Sequence, residues 1–69
     1  MKREYVESSS LETIGYDADS ETLEVEFRTD GVYQYHGVPA SVYREFMEAD
    51  SKGRFLNLRI KEVYPFTRV

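Results

Sequence analysis

The chain has 69 residues, 41% of them hydrophobic and 32% charged, and no cysteine; this suffices for one small domain and excludes disulfide staples, Cys-type zinc sites and thiol nucleophiles. A cysteine-free composition suits a reducing cytoplasm, and no apolar run reaches membrane-helix or signal-peptide length, so the expectation is a cytoplasmic monomer with no membrane partner. The net charge of −4 weighs against non-specific polyanion binding, but residues 1–40 carry −6 and residues 41–69 carry +2, so any anion site belongs to the second half.

Residues 1–10 are charged and then serine-rich, with only Tyr5 and Val6 to anchor them. They read as a flexible arm, or alternatively as an added edge strand. The domain proper is expected over residues 11–69. Leu11 to Asp17 places apolar residues at 11, 14 and 16 around Gly15, a slipped period that suits a strand with a bulge at or near the glycine, which also tolerates close approach of another backbone. Residues 18–22 carry turn chemistry. Leu23, Val25 and Phe27 then alternate with Glu24, Glu26 and Arg28, which predicts a half-buried strand with the charged residues outward.

The next strand, Val32 to His36, carries Tyr33 and Tyr35, and the turn before it decides their face. A two-residue Asp30-Gly31 loop pairs Arg28 with Tyr33 and puts both tyrosines on the charged side. A three-residue loop, Thr29 to Gly31, pairs Phe27 with Tyr33 and Val25 with Tyr35, on the apolar side. The first arrangement buries Gln34 and His36, at about 1–3 kcal/mol for each unpartnered group, so the second is preferred and the pair is mainly core with its hydroxyls at the rim.

Beyond Gly37 the period becomes helical. Pro39 opens a helix in which Val42, Tyr43, Phe46, Met47 and Ala49 form an apolar stripe. Ser51 can cap a second helix carrying Phe55, Leu56, Ile60, Val63 and Tyr64, and Pro65 stops it. The expected fold class is α+β: a three-stranded antiparallel meander with two short helices packed on one face, in the order β-β-β-α-α.

The residues IGYD at 14–17, LEVEF at 23–27, Tyr33 and Tyr35, Val38-Pro39, Ser51-x-Gly53-x-Phe55-x-Asn57, Ile60 and Tyr64-Pro65 give the chain a resemblance to the KTSC domain family. That family is named for its place at the C-terminus of some lysyl-tRNA synthetases and also occurs as small bacterial and phage proteins. Leu56 departs from the pattern, where a second aromatic residue is expected. The resemblance implies RNA binding only by association with a tRNA-charging enzyme.

Read for chemistry, the candidate nucleic-acid-binding residues are Lys52, Arg54, Arg59 and Lys61, with Arg44, for phosphates, and Tyr33, Tyr35 and Tyr64 for bases. Ser51 and Gly53 are candidates for an anion at a helix N-terminus, although Ser-x-Gly is equally a cap and a tight helical junction. A single histidine, His36, on an outer strand face lacks an orienting partner. Glu24 and Glu26 there should be solvated, and Asp17, Asp19 and Glu21 lack the pattern of a calcium loop. No catalytic residue, metal site or cofactor is therefore expected. Asn57, within an apolar stretch, is expected to make a structural hydrogen bond. The leading expectation is an RNA-binding module; the alternative is a protein-interaction adaptor or self-associating module, in which a sheet edge or the open face receives a partner peptide or a second copy of the chain.

Overall fold

Strict alternation in the middle of the chain builds a sheet with one dry face. The computed structural model describes all residues, 1–69. Its strands are β1 (Arg3–Tyr5), β2 (Leu11–Asp17), β3 (Thr22–Phe27), β4 (Gly31–His36) and β5 (Phe66–Arg68), joined in one antiparallel sheet in sequence order. Between β4 and β5 lie helix α1 (Ala40–Glu48) and helix α2 (Lys52–Phe55), which continues into a π-turn at Leu56–Ile60. The fold class is α+β with an antiparallel sheet and two helices, but the sheet has five strands instead of three. Both edge strands come from segments without an alternating pattern: the N-terminal arm supplies β1 and the tail after Pro65 supplies β5.

The core is one cluster drawn from both layers. Leu11, Ile14, Leu23, Val25 and Tyr35 from the sheet meet Val38, Phe46, Leu56 and Ile60, all fully buried or nearly so. Leu56, where a second aromatic was expected, is one of these. A parallel stack of Tyr16 on Tyr43, centroids 4.5 Å apart, and a hydrogen bond from the Tyr16 hydroxyl to the Val38 carbonyl (2.6 Å) fasten β2 to α1.

The β3–β4 hairpin settles the tyrosine question. Phe27 pairs with Gly31, Val25 with Tyr33 and Leu23 with Tyr35. The loop has three residues, but they are Arg28, Thr29 and Asp30, so the pairing differs by two positions from the expected one. Gly31, left-handed at φ 89°, closes the ladder instead of lying in the loop. A slip of two preserves the face, which is why both tyrosines still point to the helices.

The bulge in β2 also sits elsewhere, between Leu11 and Thr13 and not at Gly15. Gly15 serves close approach: a Cβ there would stand 2.8 Å from the Lys2 carbonyl oxygen and 2.7 Å from Arg3 Cγ. On the uncovered face, Arg3 of β1 reaches Glu24 (Nε to Oε2, 3.1 Å) and Glu26 (3.8 Å). Gln34 Nε2 donates to Glu24 (2.9 Å) and the Thr13 hydroxyl to Glu26 (2.9 Å). The two carboxylates are thus the centre of a cross-strand network and not freely solvated. His36 Nε2 lies 2.9 Å from the Thr67 hydroxyl on the same face. No helix is long and apolar enough to cross a membrane.

Candidate nucleic-acid interface

The second helix begins where the chain needs a cap and a close approach. Ser51 is extended and its hydroxyl accepts from the Arg54 amide (3.3 Å), while Lys52 Nζ donates to the Ala49 carbonyl (3.3 Å) at the end of α1. Gly53 faces the Ser8–Ser10 loop so closely that a Cβ would lie 2.8 Å from Ser10 Oγ. That loop is itself fixed: Ser8 Oγ accepts from the amides of Ser10 and Leu11 (3.3 and 3.2 Å), and the Arg28 amide donates to the Ser10 carbonyl (3.0 Å). Ser51 and Gly53 thus serve the helix start and its packing, with the Ser51 hydroxyl already engaged.

Between loop and helix runs a polar groove of about 680 Å³, lined on one side by Ser9 and Ser10 and on the other by Lys52, Gly53, Arg54 and Asn57. Glu7 and Asp50 also line it, and Arg54 makes no ion pair. A second, shallower cavity of about 350 Å³ adjoins it, bounded by Ala49, Phe55, Leu58 and Arg59. Asp50, Ser51, Arg54 and Leu58 line both.

The candidate residues divide accordingly. Ser51, Lys52, Gly53 and Arg54 come together in the groove, and Arg59 lines the adjoining cavity. Lys61, in the turn that follows the helix, and Arg44 on α1 are exposed and lie in neither. Tyr35 is 1% exposed and cannot offer its ring to a base, which corrects its assignment as a stacker. Its ring is spent on the core, where burial and the neighbouring Tyr33 raise its pKa. Tyr33 is half-buried and hemmed in by Phe27 (5.2 Å between centroids), Phe66 (5.5 Å) and the Arg68 guanidinium (5.6 Å). Tyr64 is half-buried against the core. Asn57 is exposed in the groove and makes no side-chain hydrogen bond within the chain, contrary to expectation.

Sequence reasoning missed the serine loop, Asn57, Leu58 and Phe55 as lining residues. The available signal was three consecutive serines directly before a buried strand residue, which is a poor arm but a good polar wall.

One antiparallel sheet with one bare face, two helical segments over the other, and a polar groove where the N-terminal segment meets the second helix together define a small single-layer-on-sheet α+β domain. The chain belongs to the KTSC domain family, whose profile matches residues 7–64. It is similar over 99% of its length to the crystal structure of a KTSC domain protein from Yersinia pestis, with 44% identity, 96% coverage of that chain and a TM-score of 0.97. An uncharacterized protein from Stutzerimonas stutzeri is 43% identical across all of this chain and 99% of its own length. A lysine–tRNA ligase from Nostoc punctiforme is 35% identical over 91% of this chain, which corresponds to 11% of the ligase.

Proposed function

We propose that this protein is a non-catalytic binding module whose ligand is RNA, held in the groove between the Ser8–Ser10 loop and residues 51–58. The observation that carries the reading is that Arg54, exposed and without an ion pair, lies across an open polar channel of about 680 Å³ from Ser8, Ser9 and Ser10; Lys52 lines the channel with its ammonium tied to the Ala49 carbonyl, and Glu7 and Asp50 line it too. A free guanidinium beside hydroxyl donors suits a sugar-phosphate backbone, while the carboxylates of Glu7 and Asp50 limit how many phosphates the channel can take. With a net charge of −4, attraction must be local to this channel, so affinity should be modest and steeply salt-dependent. The match to a segment of lysine–tRNA ligases adds support, since those enzymes act on tRNA.

The competing reading, a protein adaptor that recruits a strand at a sheet edge, is less well served. Both edge strands are only three residues long, and Pro65 precedes β5. Edges this short are poor templates for strand addition.

The test is a titration of isotope-labelled protein with pooled tRNA and short single-stranded RNAs at low and moderate salt. Amide shifts should cluster at Ser8–Ser10 and Ser51–Arg59 and shrink with salt, with a log–log slope of about −0.7 per phosphate contact. Flat spectra at both salts would refute RNA binding and redirect the search to protein partners.

A further inference from the structure

Beside the polar groove, the cavity of about 350 Å³ has a different chemistry: Ala49, Phe55 and Leu58 supply apolar surface, and Arg59 supplies a planar cation. The π-turn shapes it. The Lys61 amide donates to the Leu56 carbonyl (2.7 Å), five residues back, and the widened turn keeps Leu56 and Ile60 buried while Leu58 remains 66% exposed. Under the cavity, rings climb from core to surface. Phe46 is buried, Phe55 lies 5.6 Å from it at an interplanar angle of 20°, and the Arg59 guanidinium carbon stands 5.2 Å from the Phe55 centroid. Glu45 holds that guanidinium from the side (3.6 Å), with both side chains about half exposed.

We infer that this cavity is a nucleobase subsite: one base of the RNA strand lies flat on the Arg59 guanidinium against Leu58, and its adjoining phosphate meets Arg54 in the boundary between the two cavities. The inference rests on the RNA reading above and deepens it. Guanidinium planes stack on bases as aromatic rings do. The guanidinium here is backed on one face by Phe55 and paired at its edge with Glu45, a half-exposed contact, which leaves its other face open to a base. Of the three tyrosines expected to stack, Tyr35 is buried, Tyr33 is enclosed by Phe27, Phe66 and Arg68, and Tyr64 is half-buried against the core and lines neither cavity. The shared lining of Asp50, Ser51, Arg54 and Leu58 lets one nucleotide span both cavities, base in the apolar part and phosphate on the Arg54 side, with the Asp50 carboxylate opposing the phosphate and keeping the affinity modest.

The experiment compares wild type, Arg59→Lys, Leu58→Ala and Arg54→Gln for binding of a short oligoadenylate and of an abasic oligomer of equal length and charge. The altered side chains are exposed, and a melting curve for each variant confirms folding. Arg59→Lys keeps the charge and loses the plane. It should weaken oligoadenylate binding about five- to tenfold, the low end of what one stacked base contributes, with an unchanged salt slope and no effect on the abasic oligomer. Leu58→Ala should act in the same direction. Arg54→Gln should weaken both oligomers and reduce the salt slope by about 0.7. If wild type binds both oligomers equally, or if Arg59→Lys and Leu58→Ala bind oligoadenylate like wild type, the base subsite is refuted while RNA binding in the groove stands. If wild type binds neither oligomer nor tRNA at low salt, both readings fall.

Discussion

Two glycines illustrate how much a single side chain decides. At Gly15 an added Cβ would lie 2.8 Å from a backbone oxygen of Lys2, and backbone cannot rotate away; at Gly53 it would lie 2.8 Å from Ser10 Oγ, the end of a side chain that can. Gly15→Ala should therefore cost about 1–3 kcal/mol, the usual range for overpacking, by lifting β1 from β2. Gly53→Ala should cost less than about 1 kcal/mol, with Ser10 changing rotamer. Urea denaturation of the two variants checks the contrast, and equal losses would contradict it. Asn57 carries a related lesson. Its polarity within an apolar stretch suggested a buried hydrogen bond, but it is exposed, so Asn57→Ala should leave the unfolding free energy from urea denaturation within about 0.5 kcal/mol of wild type.

At the scale of elements, β3 and α1 were legible because their periods are clean: Leu23, Val25 and Phe27 alternate, and Val42, Tyr43, Phe46 and Met47 make a helical stripe behind Pro39. The edge strands were not, because three-residue strands leave no period to read. What holds β1 is non-local: the Gly15 surface that admits its backbone, and the Glu24–Glu26 pair that receives Arg3. The candidate site was half legible for the same reason. Ser51, Lys52, Gly53 and Arg54 sit together in sequence and in the groove, whereas its other wall, the serine loop, is brought there only by β2 folding against β3. Arg3→Ala should therefore speed hydrogen exchange of the β1–β2 cross-strand amides while those of β3–β4 keep their protection. Uniform acceleration over all four strands would show that β1 is cooperative with the core instead.

For the whole molecule, the seam between sheet and helices is built from tyrosines, which ties its cohesion to pH. Tyr16 and Tyr43 stack across the seam, and Tyr35 lies beneath it in the core. All three have raised pKa values, first because burial disfavours the phenolate. The carboxylates of Glu21 and Asp17 add to this at Tyr16, Tyr33 at Tyr35, and Glu4 at Tyr43. In the unfolded chain each ionises near pH 10. Well below that value both states hold their protons and these groups leave stability independent of pH. Above it the unfolded chain releases protons that the folded one retains, so stability falls as pH rises toward the folded values. Ionised Tyr16 would also lose its donor to the Val38 carbonyl, the bond that fastens β2 to the start of α1. Urea midpoints measured from roughly pH 8 to pH 11 should be level and then drop, with part of the tyrosinate absorbance appearing in the unfolding transition itself. Tyr16→Phe keeps the ring on Tyr43 and removes one ionisation. It should lower stability at neutral pH by about 1 kcal/mol for the lost hydrogen bond and make the alkaline decline shallower. A decline as steep as wild type would mean that Tyr16 takes no part in it and would place the linkage on Tyr35 and Tyr43.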